Sequence, residues 1–123
     1  MSLFLVMAGG AVGSGARYLL GRALSALSGS GFPYGTLAAN LLGGLLMGAL
    51  AASLSRGGAG EPWRLFAGVG VLGGFTTFSA FSLDAVTLFQ GGAPAAAGGY
   101  VLLSVAGSVA AVLLGARLAG SWA

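Results

Sequence analysis

The chain has 123 residues, of which 57% are hydrophobic and only 6% are charged, and its mean hydropathy is +0.98. A soluble domain of this length has too small an interior to bury so much apolar surface, so lipid is the expected solvent for much of the chain. The absence of Cys and His excludes disulfides, thiolate metal sites and the commonest proton shuttle at neutral pH. The five arginines are dispersed, which argues against a nucleic-acid-binding patch. Composition therefore favours a membrane protein that is not an enzyme.

Four apolar segments follow one another along the chain, each as long as the roughly 20 helical residues needed to cross a bilayer. The predicted spans cover residues 3–27, 34–54, 63–89 and 95–118. Short stretches rich in Gly and Pro separate them, and Pro33, Pro62 and Pro94 suit the start of a helix. We therefore predict an all-α integral membrane protein in which residues 1–123 form a single four-helix membrane domain.

The loop charges favour neither orientation in the membrane. With four spans, Arg56, Arg64 and Arg117 fall on one side of the bilayer, and Arg17 and Arg22 fall on the other. An excess of Lys and Arg normally sets orientation, but three charges against two give almost no bias. Two interpretations stay open. The chain inserts in both orientations, so that inverted copies pair about an axis in the membrane plane, or another factor sets one orientation.

The second span contains one strongly polar side chain, Asn40, with Thr36 one helical turn before it. A polar group in hydrocarbon costs free energy unless it finds a partner or water. We therefore expect Asn40 to face protein or a pore. An interhelical hydrogen bond is the alternative to a pore role.

The third span carries the sequence GVGVLGGFTTFSAFSLD, in which Gly73 and Gly74 are followed closely by Thr76 and Thr77. Gly and Thr are poor helix formers, so these residues predict a break in the helix near Gly73 to Thr77. Non-helical backbone at membrane depth is tolerated where it lines a cavity or binds an ion, and its free carbonyls suit a hard cation such as sodium. A continuous helix whose glycines only allow close packing is the alternative.

Aromatic and hydroxyl side chains follow the predicted break at helical spacing. Phe78 and Phe81 are three residues apart and share a helix face, with Ser79 beside them. The edge of an aromatic ring carries partial positive charge, which suits a small anion, although ordinary packing is the commoner explanation of such rings. In the fourth span hydroxyl groups recur every four residues, at Tyr100, Ser104 and Ser108. We expect this stripe to line a wet track or to clamp the rings.

Three motifs occur in order across the spans: GGAVGSGARY at residues 9–18, GTLAANLLG at 35–43 and GGFTTFSAFS at 73–82. In these motifs the chain resembles the Fluc (CrcB) family of fluoride channels, and the resemblance covers essentially the whole chain. It implies a fluoride-selective channel that lowers cytoplasmic fluoride by passive, electrogenic export. It further implies a multi-pass protein of the bacterial or archaeal cytoplasmic (inner) membrane, assembled as a dual-topology antiparallel homodimer with a structural sodium ion (Na+) at its centre.

The resemblance also implies roles for single residues. It places Phe78 and Phe81 in an aromatic box beside the pore amide of Asn40, and it assigns the main-chain carbonyls of Gly73 and Thr76 to sodium. Arg17 is implied to lie in a vestibule at the mouth and to draw anions toward it. The other residues that we assign to the fluoride pore are Thr36, Ser79, Tyr100, Ser104 and Ser108.

Two positions depart from the family pattern. Ala80 stands where the family usually has Thr, which removes one hydroxyl from the polar track. Asp84 stands where the family commonly has Glu, which keeps the charge but shortens its reach.

Three alternatives from other classes remain at this level. Small proton-coupled multidrug exporters are also four-span, dual-topology dimers, but they need a carboxylate within the first helix, where this chain has Arg17. Fluoride–proton exchange driven by Asp84 is a second alternative. A passive subunit of a larger membrane assembly is the third.

Overall fold

The computed structural model describes residues 1–29, 31–55, 57 and 60–120, and these form four long apolar helical segments. Their bounds are Ser2–Ser28 (α1), Tyr34–Ser55 (α2), Glu61–Gln90 for the third segment, and Pro94–Leu118 (α5). Each segment is long enough and apolar enough to cross a membrane. All four predicted spans lie inside these bounds. The protein is thus all-helical, with the architecture of a multi-pass membrane protein.

The third segment is divided into two helices. The first, α3, covers residues 61–75 and consists of an α-helical turn at Glu61–Trp63, a π-helical stretch at Arg64–Leu72 and an α-helical turn at Gly73–Phe75. Thr76 has extended backbone, with φ −91° and ψ 157°, and the second helix, α4, covers Ser79–Gln90. The break predicted near Gly73 to Thr77 overlaps residues 76–78. Gly73 and Gly74 themselves are helical, however, and Gly74 is used for close packing against the backbone of Gly10.

Proline and glycine set the helix ends, as elementary backbone chemistry requires. Pro62 and Pro94 lie in the first turn of α3 and α5, where a missing N–H costs no hydrogen bond. α1 ends at Gly29, whose φ of 63° is easily adopted only by glycine and whose N–H donates to the Ser25 carbonyl. These caps explain why the spans stop where the apolar runs stop.

The helices pack as two parallel pairs, α1 with α3 and α2 with α5. A methyl group added at Gly13 would overlap the Val71 carbonyl of α3, and one added at Gly48 would overlap the Val112 carbonyl of α5. The backbones of each pair are therefore in direct contact, as is typical of membrane helices with small residues spaced by four.

The outer surface is apolar. Leu19, Leu83 and Leu102 have 65%, 66% and 72% of their surface exposed, which suits contact with lipid. A small buried cluster of Leu37, Phe81 and Tyr100 joins α2, α4 and α5. Arg56, used above in the count of loop charges, lies outside the described residues.

Candidate functional site

The side chain of Asn40 on α2 is hydrogen bonded to the main chain between α3 and α4. Its Nδ2 donates to the Thr77 carbonyl at 3.0 Å, and the Thr77 N–H donates to Asn40 Oδ1 at 2.9 Å. In a continuous α-helix the Thr77 N–H would donate to the Gly73 carbonyl. The Asn40 amide replaces that partner and so stabilises the non-helical backbone.

Two threonine hydroxyls satisfy the helix ends on either side. Thr76 Oγ1 donates to the Leu72 carbonyl at 2.9 Å, and the Thr76 N–H donates to the same carbonyl at 3.0 Å. Thr77 Oγ1 accepts the Ala80 N–H at 3.2 Å and lies 3.3 Å from Ser79 Oγ. Each threonine hydroxyl therefore satisfies a main-chain group at the end of α3 or at the start of α4.

These groups open onto a cleft of about 550 Å³ on one side of the protomer, here called the amide cleft. Its polar lining comes from α2, α5 and the residues around Thr76: Asn40, Thr76, Thr77, Ser104 and Ser108. Gly73, Phe78 and Phe81 also line it. The cleft thus combines hydroxyl and amide groups with two aromatic rings and no ionisable group.

The two phenylalanines of this cleft differ greatly in exposure. Phe78 is 77% exposed, whereas Phe81 is 8% exposed. Their ring centroids lie 5.6 Å apart with an interplanar angle of 50°, and the Phe81 ring lies 5.4 Å from that of Tyr100. Phe81 therefore belongs both to the protein core and to the wall of the amide cleft.

Two hydroxyls of α5 are buried but are bonded differently. The Tyr100 hydroxyl donates to Asp84 Oδ2 at 3.2 Å, and Tyr100 is fully buried behind Phe81. Ser104 is 4% exposed, and its Oγ has no hydrogen-bond partner among the described residues. A buried hydroxyl without a partner is costly, and Ser104 is one of the residues that line the amide cleft.

A second cleft, of about 560 Å³, holds the charged groups and is here called the arginine cleft. It is lined by Arg17, Arg22, Thr36 and Asp84, among others. Arg17 Nε donates to the Gly74 carbonyl at 3.4 Å, which joins this cleft to the end of α3.

The structure brings most of the sequence-predicted residues together, but in two groups. One group lines the amide cleft: Asn40, Gly73, Thr76, Phe78, Phe81, Ser104 and Ser108. Thr36, predicted beside Asn40, lies with Arg17 in the arginine cleft. Ser79 is exposed at the start of α4, and Tyr100 lies behind the wall of the amide cleft.

Sequence reasoning missed two features of the site. Thr77 was seen only as a poor helix former, although its main chain is the partner of Asn40. Arg22 was counted only as a loop charge, although it shares a cleft with Arg17. No spacing rule links a residue of α2 to one 37 positions later, so only the fold reveals the first contact.

The site offers a metal ion main-chain and hydroxyl oxygens. Across residues 1–29, 31–55, 57 and 60–120, His, Cys, Asp and Glu form no group of three or more that could hold a metal ion. Main-chain carbonyl and hydroxyl oxygens are ligands that suit a hard cation.

Comparisons with known proteins agree with one another. The family model described as "CrcB-like protein, Camphor Resistance (CrcB)" matches residues 4–116. A protein of Phenylobacterium zucineum is 57% identical over 120 residues, which cover 96% of this chain and 94% of the relative. A protein of Caulobacter sp. strain K31 is 56% identical, over 95% of this chain and 93% of the relative. A protein of Sphingopyxis alaskensis is 55% identical, over 89% of this chain and 88% of the relative. All three relatives carry the name "Fluoride-specific ion channel FluC".

Proposed function

Because the chain belongs to the CrcB family, whose relatives named above are fluoride-specific ion channels, we propose that it is a fluoride-selective channel that lowers cytoplasmic fluoride by passive, electrogenic export. Proteins of this family are ion channels and not enzymes. The proposed location is the cytoplasmic membrane of a bacterium. The observation that carries the proposal is the uncharged cleft between the apolar helical segments, where amide, hydroxyl and aromatic side chains converge around residues 76–78.

Such a lining matches the chemistry of a small, strongly hydrated anion. Moving a charge from water into a low-dielectric passage is very costly, so many donors must replace the lost water. No single site is allowed to hold the ion too tightly, because the ion must also leave. The Asn40 amide has one N–H beyond the one given to Thr77, and Ser104 has an unpartnered hydroxyl. The edges of Phe78 and Phe81 add partial positive charge without a fixed cation.

We further propose that two copies pair in opposite orientations through the face that carries the amide cleft. The cleft is open in one protomer, and it exposes 77% of Phe78 beside polar groups at membrane depth. Lipid would leave the remaining N–H of Asn40 and the Ser104 hydroxyl without partners, whereas an inverted copy covers the cleft and encloses a passage. The nearly balanced loop charges allow both orientations.

The residues at the end of α3 fit a structural sodium ion in that assembly. The Thr77 N–H is committed to Asn40, so the Gly73 carbonyl lacks its usual α-helical donor. Gly73 and Thr76 both line the amide cleft. Their carbonyls, from each of two inverted subunits, would hold the ion. When bound, it supplies positive charge that links the two non-helical stretches.

The proposed channel mechanism is favoured over a proton-coupled exporter by the position of the acids. α1 contains Arg17 and Arg22 and no carboxylate, whereas drug–proton exchange in a four-span exporter requires a carboxylate within the membrane. Asp84 lies in the third segment, and its carboxylate accepts the Tyr100 hydroxyl.

The proposal is tested by fluoride release from liposomes that contain the purified protein. A potassium gradient with valinomycin carries the compensating charge, and chloride release is measured in parallel. We expect rapid fluoride release that depends on valinomycin, with no chloride release above protein-free liposomes. Equal release of both ions, or no release from folded protein, would overturn the proposal.

A further inference from the structure

The two arginines of the arginine cleft are engaged differently. Arg17 is partly buried, and its Nε donates to the Gly74 carbonyl at the end of α3. Arg22 is exposed, and among the described residues it makes no hydrogen bond or ion pair. One guanidinium is thus bound to the protein, and the other is free to meet solutes.

Their positions along α1 support the same distinction. They are five positions apart, which places Arg22 about 7.5 Å farther along the helix axis toward the end of α1 at Ser28. Arg17 lies level with the non-helical backbone of the third segment, as its contact with Gly74 requires. Arg22 therefore lies nearer to the aqueous mouth of the arginine cleft.

The only acid that lines this cleft does not neutralise Arg22. Asp84 accepts the hydroxyl of buried Tyr100 at 3.2 Å, and no ion pair joins it to either arginine in the described part of the chain. With two arginines and one aspartate, the cleft has a net positive charge. A cleft of one sign with low-dielectric walls concentrates ions of the opposite sign.

We propose that Arg22 is the residue that concentrates anions at the mouth, and that Arg17 is a positioning residue that holds the Gly74 carbonyl beside the non-helical stretch. The inference rests on the proposed function, because the anion collected is fluoride. It assigns the electrostatic part of conduction to a residue outside the three family motifs.

The two roles differ in how they respond to salt. The Debye length is about 30 Å at 0.01 M ionic strength and about 3 Å at 1 M, so a charge that acts through solvent is effective only at low salt. Loss of Arg22 should therefore lower fluoride current roughly threefold at 0.01 M ionic strength and by less than about 1.3-fold at 1 M. Loss of Arg17 should lower the fluoride current at both ionic strengths.

The experiment measures single-channel fluoride current in neutral-lipid bilayers for the wild type, Arg22→Gln, Arg22→Lys, Arg17→Gln and Arg117→Gln. Fluoride and sodium are held constant, and an impermeant salt such as N-methylglucamine gluconate sets the ionic strength. Arg117→Gln is the matched control, because it removes one arginine in the last turn of α5, outside the arginine cleft.

The proposal expects a salt-dependent loss for Arg22→Gln, near-normal current for Arg22→Lys, and little change for Arg117→Gln. Equal currents for the wild type and Arg22→Gln at 0.01 M would overturn the role of Arg22. So would an Arg22→Lys current as low as that of Arg22→Gln. Recovery of Arg17→Gln at 1 M would overturn the positioning role of Arg17. Absence of current in the wild type would contradict the proposed function itself and is thereby distinguished from these outcomes.

Discussion

Asn40→Asp is expected to lower fluoride flux about a thousandfold. Two unit charges about 4 Å apart at an effective dielectric constant of about 20 repel by roughly 4 kcal/mol, which corresponds to that factor. The Asp carboxylate still accepts the Thr77 N–H, but it cannot replace the donor that Asn40 Nδ2 gives to the Thr77 carbonyl. We therefore also expect a loss of about 1–3 kcal/mol in the free energy of unfolding. Fluoride efflux from liposomes and thermal unfolding in detergent measure the two effects.

Gln90→Glu is the matched control for this variant. It makes the same amide-to-carboxylate change at an exposed position at the end of α4. We expect near-normal flux and stability for Gln90→Glu. Normal fluoride flux in Asn40→Asp would place Asn40 outside the pathway and leave it the purely structural role of holding Thr77.

Phe81→Ile is expected to reduce fluoride flux at least about a hundredfold. The substitution removes an aromatic ring from the wall of the amide cleft. If the edge of that ring contacts the anion, as proposed, losing one polar partner without replacement costs a few kcal/mol. Phe81 is 8% exposed and packs against Tyr100, so the smaller side chain also removes core contacts. Fluoride efflux must therefore be measured with the same amount of reconstituted protein for the variant and the wild type. The elution volume in size-exclusion chromatography and the thermal unfolding of the variant show whether it is folded.

Phe89→Ile separates the two effects of the substitution. Phe89 lies on the same helix, α4, and is 64% exposed on the outer surface. Phe89→Ile makes the same chemical change at a residue that does not line the amide cleft, and we expect wild-type fluoride flux for it. If folded Phe81→Ile conducts as well as Phe89→Ile, the aromatic rings have no part in the pathway.

Much of the fold could be predicted because lipid imposes simple constraints on sequence. Apolar runs of sufficient length, ended by residues such as Pro62 and Pro94, predict spans whose bounds the structure closely matches. The π-helical stretch at Arg64–Leu72 could not be predicted. This stretch lies in close contact with α1 near Gly9 and Gly13, and that contact exists only once the two helices are packed together.

The candidate site was only partly predictable, for a similar reason. Residue types indicate that Asn40 faces protein or a pore within the membrane, and that Phe78 and Phe81 share one helix face. They did not indicate that Asn40 holds Thr77 by two hydrogen bonds. Nor did they indicate that Thr36 lies in the arginine cleft instead of the amide cleft. Such assignments need the relative rotation of helices, which hydrophobic patterning leaves open when a helix is apolar on every side.

The most direct test of a selective, passive fluoride pathway is the reversal potential of the purified protein in a planar bilayer. With a tenfold fluoride gradient, equal chloride on both sides and equal pH, we predict reversal at the fluoride equilibrium potential, about 59 mV from zero at room temperature. We also predict no shift when a pH gradient is then added. Reversal near zero, or a shift that follows the pH gradient, would contradict the account, because the first indicates a pathway that does not select fluoride and the second indicates coupling to protons.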